Sequence, residues 1–526
     1  MKNIKLKAGI ASLLIVTIAT IISCEKKLDR TDPNVLLVSQ YFNTSSQIQS
    51  ATNSIYSAMK GNALVAREWF FLHDLRADEV SPGGSQLEAP RGQLLAGNGD
   101  ASNPLISANW GDLYVMIHRA NTVIGSGSLG KDNAALTAQS VGEAKFLRAW
   151  AYNELVTQWG AVPLYTSVVA GIADFKPRAK VEDIYAQIIK DLTDAAAVLP
   201  AKSGYSAADQ GRVTNAAANA LLGRVNMQKG DFVAAETALL KIPTTGPDGY
   251  QLTSRYLDNF EEETEMNKES IFEVLFFDKG NTDFNWGSPT GDGAAANLST
   301  VRNQEYNGVA WRNLIPSNNY LSNFENAANG AAKTDPRLSF SVYQSGDLFN
   351  NNSQTLTDAQ QNGNSSILNG VVKKISWRKF MLMYKENSSF HPGGNNQRIL
   401  RYGEVLINLA ECEAEQGHFP LALGYLNQLR DRPSVAMPHY PTAQYPADSK
   451  INVMTAIIHE KEAEMGCEEV RNIDILRWRK AGYFATEPIS YFRPNRDELL
   501  PIPQQEIDNN PQLGTGGIAK QNPGYN

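Results

Sequence analysis

The six histidines of the chain are the residues most suited to act as metal ligands or general bases, and their spacing supports neither role. No pair has the spacing of zinc ligands, and the segment HEKEAE (459–464) lacks the second histidine of a metalloprotease helix. The chain also lacks a Gly-x-Ser-x-Gly elbow, a P-loop and a Rossmann-type glycine motif. We therefore expect no catalytic residue, no metal site, no cofactor and no enzymatic activity. The histidines are His73, His118, His391, His418, His439 and His459.

Two weaker interpretations of the acidic residues remain open. The carboxylate-rich segment AECEAE (410–415) lies in a helical pattern, where such a run normally faces solvent. A glycosidase needs two carboxylates on opposite sides of a sugar, and nothing in the sequence indicates such a pair. The segment DKGNTD (278–283) has alternating oxygen ligands that could bind calcium, although a plain turn is the simpler interpretation.

The strongest chemical signal is a set of aromatic residues between positions 284 and 320 that follows neither a helical nor a strand period. Exposed rings of this kind stack on the apolar faces of sugars or on apolar peptide side chains, while nearby polar groups hydrogen-bond hydroxyls or carbonyls. The alternative is that the rings pin a long loop to the rest of the protein. The aromatic candidates are Phe284, Trp286, Tyr306, Trp311 and Tyr320, and the polar ones are Arg302, Asn303, Asn307 and Arg312.

The N-terminus has the pattern of a bacterial lipoprotein signal. Three lysines precede an uncharged apolar run from Ala8 to Ile22, which ends in Ser23 and Cys24. This ending resembles a lipobox, in which the cysteine is lipidated and becomes the first residue after cleavage. An uncleaved anchor helix with an incidental cysteine is the alternative. We expect a lipid on Cys24 to tether an otherwise soluble chain to a membrane.

Composition narrows the class of protein further. The chain has 526 residues, of which 42% are apolar and 20% charged, as in soluble globular proteins. Its net charge of -7 and the lack of a basic block argue against nucleic-acid binding. Cys412 and Cys467 lie in helical patterns far apart in sequence. Two buried free thiols are favoured, and a disulfide remains open.

Helical periodicity dominates both ends of the chain, so we predict a mainly α protein. The middle is rich in Asn, Gly, Ser and aromatic residues, and its apolar bursts at 270–277 and 373–381 indicate short strands. We expect helices at roughly 46–60, 107–124, 138–158, 180–198, 214–229, 231–241, 401–417, 419–431, 451–464 and 468–481. The predicted division is a signal peptide (1–23), a lipidated tether (24–45), a helical scaffold (46–242), a loop-rich insertion that binds ligand (243–400), and C-terminal helices with a tail that complete the scaffold (401–526).

An internal repeat supports this division. Residues 215–242 align without gaps on residues 402–429, at an offset of 187. The small residues Gly223 and Ala235, twelve positions apart, would let two antiparallel helices approach closely across a glycine-containing turn. These are the features of a tetratricopeptide-like helical hairpin. Two such hairpins predict one scaffold from which the middle region projects.

Five blocks of sequence resemble the SusD/RagB family of Bacteroidetes outer-membrane lipoproteins, and they occur in the family's order. A shorter match is TDPRLSF (334–340). The resemblance implies a tetratricopeptide-like scaffold with a loop-rich binding region and no enzymatic activity. It also implies capture of oligosaccharide, or in some members peptide. It further implies that the protein acts as a lid on a SusC-like TonB-dependent transporter barrel in the outer membrane. The blocks are 24–34, 110–124, 142–164, 401–417 with 426–432, and 499–513 with 521–526.

The chain departs from the family pattern in three places. Segment 81–105 has no aromatic residue where glycan-binding members often present one, which weakens the expectation of stacking there. In 459–478 only part of a Glu-Arg-Arg-x-Glu-type charge pattern remains, and we expect that change to affect packing. Only Glu25 provides acidity after Cys24, before Lys26 and Lys27, so display on the cell surface and retention in the inner leaflet both remain open.

The leading hypothesis is a cell-surface lipoprotein that captures oligo- or polysaccharide and delivers it to a SusC-like transporter. A peptide- or glycopeptide-binding protein on the same scaffold is the first alternative, favoured by the arginines near Trp311 and by the aromatic-free segment 81–105. A lipoprotein glycosidase and a purely structural envelope protein are the other two.

Overall fold

The computed structural model of the chain describes residues 41–277, 284, 298–386 and 392–525. Within these ranges no helix combines the length and the apolar character needed to cross a membrane. The predicted signal peptide, the lipidation of Cys24 and the calcium interpretation of 278–283 all concern residues outside the described part of the chain.

Helices form the scaffold between residues 41 and 277, and the long ones confirm the helices predicted from periodicity. Two seven-residue helices were not predicted, because two turns carry too little periodic signal. In chain order the helices are α1 (Ser45–Met59), α2 (Glu68–Asp74), α3 (Ala89–Leu95), α4 (Pro104–Ser126), α5 (Ala134–Trp159), α6 (Val181–Val198), α7 (Asn215–Lys229) and α8 (Phe232–Leu239).

Side-chain caps fix where the long helices begin. Asn103 accepts hydrogen bonds from the first backbone N–H groups of α4, and Asn133 and Thr214 do the same for α5 and α7. From α4 to α8 each helix packs against the next, so the chain builds a layer of consecutive helical pairs. Helix α5 lies deepest, and its Trp150 and Trp159 are fully buried.

The middle of the chain combines three short helices with small antiparallel sheets. Strands at Ser270–Val274 and Ile375–Trp377 lie within the apolar bursts at 270–277 and 373–381 and confirm the strands predicted there. The helices are α9 (Arg302–Tyr306), α10 (Asn318–Asn323) and α11 (Arg337–Ser341). The strands pair as β1 (Val80–Pro82) with β3 (Leu314–Pro316), β2 (Ser270–Val274) with β10 (Gln397–Arg401), β4 (Val342–Gln344) with β9 (Ile375–Trp377), β5 (Leu348–Phe349) with β6 (Gln354–Thr355), and β7 (Ser366–Leu368) with β8 (Val371–Lys373).

The pair formed by β2 and β10 closes the base of this region. Val274 lies opposite Gln397, so the chain leaves the scaffold through one strand and returns through its neighbour. The segment between the two strands, residues 275–396, is called the insertion below. Both strands are buried along their whole length, and β10 leads directly into the next helix of the scaffold.

The C-terminal helices complete the scaffold. Helix α12 packs against α13 as α7 packs against α8, and contact between α8 and α12 joins the two halves of the chain. This arrangement confirms the mainly α architecture predicted from the internal repeat. The helices are α12 (Tyr402–Glu415), α13 (Phe419–Arg430), α14 (Lys450–Met465), α15 (Arg471–Ala481) and α16 (Gln504–Asn509).

The two hairpins of the repeat share their glycine chemistry. Gly230 and Gly417 end α7 and α12 with backbone φ angles of +82° and +87°, a conformation that glycine adopts without strain. Gly223 allows the close approach predicted for α7 and α8, because a Cβ atom there would lie 2.4 Å from Cδ2 of Leu239.

Carboxylates at the end of α14 and in the following turn anchor the insertion to the scaffold through buried ion pairs. Arg302 lies 2.5 Å from Glu469, Arg337 lies 2.5 Å from Glu460, and Lys379 lies 3.0 Å from Glu468. In each pair the cation comes from the insertion and the carboxylate comes from the scaffold. We call these three pairs the anchoring pairs.

Arginines of the scaffold pair with Glu460 and with Glu464, another carboxylate of α14. Arg401 and Arg432 contact Glu464 at 2.8 and 2.7 Å, and Arg430 contacts Glu460 at 3.1 Å. Burial disfavours the carboxylate of Glu460, but Arg337 and Arg430 outweigh that effect and lower its pKa to about 2. Glu460 and Glu464 of the segment 459–478 therefore form their ion pairs inside the protein.

Candidate ligand-binding site

Three distant segments of the chain meet at one surface beside β1 and β3. The backbone N–H of Gly83 donates to the carbonyl of Asn313 at 2.8 Å, and the backbone N–H of Asn364 donates to the carbonyl of Gly83 at 2.6 Å. A Cβ atom on Gly83 would lie 1.6 Å from the carbonyl oxygen of Arg312, so only glycine permits this approach. We call the surface formed by 83–88, 304–313 and 361–364 the junction surface.

Arg312 holds the junction surface together from the inside. Its guanidinium donates to the carbonyls of Asn362, Asn364 and Ile375 at 2.6–2.8 Å and to the hydroxyl of Ser376 at 2.8 Å. The side chain is 1% exposed, and burial lowers its pKa to about 10. Arg312 is thus committed to positioning two loops, and in this structure it offers a ligand no free donor surface.

Among the aromatic candidates that the structure describes, Trp311 is the one left partly accessible. Its backbone N–H donates to the carbonyl of Gln304 at 3.1 Å, which folds the chain back onto α9. The indole is half-buried. Exposed residues on the joined segments, among them Ser85, Gln86 and Asn362, supply polar groups at the same junction. One aromatic face within a polar surface suits a sugar ring or a peptide side chain.

A second ion-pair cluster fixes the segment that runs from 83 to 95 onto α9. Arg67 donates to Glu305 and to Glu88, in both cases at 2.7 Å, and Arg91 donates to Glu68 at 2.8 Å. The guanidinium of Arg91 also stacks 3.9 Å from the ring centre of Phe71. These contacts give one side of the junction surface a fixed geometry without any aromatic residue in 81–105.

The structure places four other predicted aromatic or polar candidates in the interior. The Tyr306 hydroxyl donates to Asp74 at 2.8 Å, and Tyr320 packs 5.0 Å from Trp377 between ring centres. Asn303 accepts a hydrogen bond from the backbone N–H of Leu382 at 2.8 Å. With exposed fractions of 2% or less, these side chains present a ligand with no surface in this structure; they are Tyr306, Tyr320, Asn303 and Arg302.

Two of the remaining candidates are also buried, and the third lies outside the described residues. Phe284 is described and is 8% exposed, and Asn307 is fully buried. Trp286 lies outside the described residues, so its predicted ligand contact stays a prediction. The burial of the described rings Phe284, Tyr306 and Tyr320 agrees with the alternative interpretation, in which most of the rings pin the loop to the scaffold.

The described residues of this surface include neither a candidate metal cluster nor a reactive thiol. Among the described residues no cluster of His, Cys, Asp and Glu could hold a metal ion. Cys412 and Cys467 are free and buried. Burial raises the pKa of both thiols, which keeps them protonated and unreactive.

The scaffold also has a groove that the sequence did not predict. This groove lies between α4, the loop 163–175 and α16. Its volume is about 360 Å³, and aromatic side chains from α4 and the loop line it. The sequence carried part of the signal, since Trp110, Tyr114 and His118 recur every four residues along α4. A four-residue period is typical of a buried helix face, and the opposite wall of the groove is contributed by a tail almost 400 residues away.

The helical pairs and the insertion with its small antiparallel sheets give this chain the fold of SusD-like structures. A crystal structure of a SusD superfamily protein from Bacteroides vulgatus has a TM-score of 0.73 to this chain at 21% identity, and the match covers 90% of this chain and 98% of that one. The structure described as a laminarin-binding SusD-like protein gives a TM-score of 0.73 at 22% identity, with coverage of 92% and 100%.

Sequence comparisons agree with this class. The model described as the SusD family matches residues 268–525, and the model described as "Starch-binding associating with outer membrane" matches residues 93–227. SusD-like protein P25 from Formosa agariphila is 25% identical to the chain over 521 residues, covering 93% of the chain and 95% of the relative. The chain belongs to the SusD/RagB family.

A ligand is present in one similar structure. Surface glycan-binding protein A from Bacteroides thetaiotaomicron, in complex with laminarihexaose, has a TM-score of 0.69 at 23% identity, and the match covers 89% of this chain and 98% of that one.

Proposed function

We propose that this chain is a non-enzymatic glycan-binding lipoprotein that captures oligo- or polysaccharide at the junction surface. The half-buried indole of Trp311 in a polar surface is the observation that carries the site. Family membership and the relatives described as binding laminarin or laminarihexaose support the ligand class. In this proposal Trp311 and Trp286 stack on sugar rings, while Arg312 and Tyr306 hold the surface from within.

The proposal includes the location and the partner of the protein. Lipid on Cys24 anchors the chain to the outer membrane, with the binding region displayed at the cell surface, and the matched model's description of outer-membrane association supports this. A SusC-like TonB-dependent transporter receives the captured glycan. The peptide-binding alternative loses support, because Arg302 and Arg312, which favoured it, are buried.

A binding screen tests the ligand class. A soluble form that begins after Cys24 is titrated with plant, fungal and host polysaccharides, with laminarihexaose, and with a peptide library. We expect at least one glycan to bind and no peptide to bind. Binding of peptides alone would establish the alternative, and release of reducing ends from a bound polysaccharide would establish a glycosidase.

Substitutions then test the site. Trp311→Ala removes an aromatic face, and we expect it to weaken glycan binding at least tenfold, which corresponds to about 1.4 kcal/mol. Trp286→Ala tests the second ring. Leu421→Ala is the matched control, because Leu421 is an apolar residue 57% exposed on α13, and its loss should leave affinity unchanged. Glycan binding that survives both tryptophan substitutions would refute the junction surface as the site.

A further inference from the structure

The groove on the scaffold has aromatic walls. The Trp110 and Tyr114 rings lie 5.2 Å apart between centres, and Tyr114 meets Tyr165 edge to face at 5.9 Å. Tyr114, Tyr165 and Phe175 are half-buried, so each presents part of its ring to the groove. The volume of about 360 Å³ lies at the lower end of the range for small-molecule sites and suits one or two sugar rings.

Polar groups without protein partners line the same groove. In the described part of the chain, the side chains of His118, Gln505 and Asn509 make no hydrogen bond to protein. Glu506 accepts a hydrogen bond from Asn510 at 2.9 Å, and its carboxyl is also hydrogen-bonded to the side chain of Trp110. Burial raises the pKa of Glu506, although the hydrogen bonds to this carboxyl counteract the rise. Planar amide, imidazole and carboxyl groups beside aromatic faces are the groups that recognise sugar hydroxyls.

The loop wall of the groove is fixed before any ligand arrives. Asn121 donates to the carbonyls of Tyr165 and Ser167 at 3.1 and 2.9 Å. The backbone N–H of Lys176 donates to the Tyr165 hydroxyl at 3.2 Å, and Asn510 donates to the Lys176 carbonyl at 3.1 Å. A preformed wall lowers the entropy cost of binding.

We propose that this groove is a second saccharide site, which binds one or two neutral pyranose rings and is separate from the junction surface. The half-buried rings stack on the C–H faces of the sugar, while Gln505, Asn509 and His118 hydrogen-bond its hydroxyls. Glu506 adds an acceptor for hydroxyl groups and repels carboxylated or sulfated sugars. The inference rests on the proposed function, since it assigns a further site for the same class of ligand.

Nuclear magnetic resonance of the tryptophan indole N–H groups tests the groove directly. The soluble chain is titrated with the methyl pyranosides of glucose, galactose, mannose and xylose, and the Trp110 signal is assigned with Trp110→Phe. We expect at least one glycoside to shift the Trp110 signal in a saturable way. The same glycoside should bind at least fivefold more weakly to Phe175→Ala and to Glu506→Gln.

Controls separate this inference from the proposed function. Ile172→Ala removes a 71% exposed residue of the same loop that does not line the groove, and it should bind the glycoside as the unchanged chain does. Trp311→Ala should also leave the Trp110 response intact. Phe175→Leu keeps apolar bulk without a ring, so weakened binding by this variant, with an unchanged unfolding midpoint, assigns the effect to stacking.

Two results would overturn the second site. One is a Trp110 signal that none of the four glycosides moves. The other is an affinity for the glycoside that is the same in Phe175→Ala and in Glu506→Gln as in the unchanged chain. If polysaccharide binding is then lost in Trp311→Ala and retained in the groove variants, the second site fails alone and the proposed function stands. If no glycan binds the unchanged chain, the proposed function itself fails.

Discussion

The guanidinium of Arg401 contacts both the side chain and the backbone of Glu464. One guanidinium nitrogen lies 2.8 Å from the carboxylate of Glu464, and another donates to the carbonyl of the same residue at 2.8 Å. Arg401 directly precedes α12, and Glu464 lies in the last turn of α14. This double contact joins the end of β10 to the helix that, with the turn after it, carries the carboxylates of the anchoring pairs.

Removal of Glu464 should destabilise the protein strongly. Glu464→Ala leaves the buried guanidinium groups of Arg401 and Arg432 with fewer counter-charges, and breaking such a buried cluster costs about 3–5 kcal/mol. Urea unfolding followed by circular dichroism measures the effect. Glu182→Gln, on the exposed surface of α6, should cost less than about 1 kcal/mol. Equal losses in the two variants would contradict the structural role of the cluster.

Two helical glycines should respond to alanine with opposite signs. A Cβ on Gly223 would lie 2.4 Å from Leu239, so Gly223→Ala should destabilise the protein by about 1–3 kcal/mol through overpacking. A Cβ on Gly424, in α13, meets no atom within 4 Å, so Gly424→Ala should add up to about 1 kcal/mol of helix stability. Thermal unfolding of the two variants side by side tests the pair, and a stabilising Gly223→Ala would show that α7 and α8 are less closely packed.

His459 should make the folded state sensitive to mild acid. Burial, together with repulsion from Arg337 and Arg430, lowers its pKa to about 4 despite the attraction of Glu460. The unfolded chain therefore takes up a proton near pH 6.5 that the folded chain refuses until about pH 4, and stability falls as the pH drops through that window.

Comparison with His459→Gln isolates this effect. Between pH 7 and pH 5 the unchanged chain should lose about 2 kcal/mol more of its unfolding free energy than the variant does. Urea unfolding at both pH values provides the measurement. The carboxylates titrate equally in the two proteins, so their contributions to the unfolding free energy cancel in the difference. A variant that loses as much stability as the unchanged chain would assign the acid sensitivity to other groups.

Arg312 should control the order of the junction surface. Arg312→Ala leaves the carbonyls of Asn362, Asn364 and Ile375 without their charged donor, at a cost of at least about 2 kcal/mol. We expect backbone amide exchange to accelerate in residues 361–366 and to stay unchanged in β2 and β10. Unchanged exchange in 361–366 would show that other contacts hold this loop.

Local sequence patterns were sufficient to predict most of the scaffold. Helices such as α1 and α6 repeat their apolar residues over several turns, and Gly230 and Gly417 mark the ends of α7 and α12. These signals lie within about twenty residues of one another. The hairpin repeat could be predicted for the same reason, because each copy packs within itself before it meets the other.

The environment of the aromatic segment could not be predicted in the same way. Tyr306 is buried because Phe70, Phe71 and Asp74 surround it, and these neighbours lie more than 200 residues earlier in the chain. A ring without periodic neighbours can be buried by distant parts of the chain as readily as it can face solvent. The groove shows the converse case, since the period along α4 indicated a core face while Tyr114 remains partly open.

The anchoring pairs restrict how this chain could diverge. Because β2 and β10 lie side by side, a different insertion could be accommodated between them without moving the scaffold helices. The new insertion would still have to place positive charges where Arg302, Arg337 and Lys379 lie. Without them, the carboxylates of the scaffold would be buried with too few counter-ions. The outer loops can therefore change in sequence, and ligand preference with them. Every new binding region must still supply the buried positive charges.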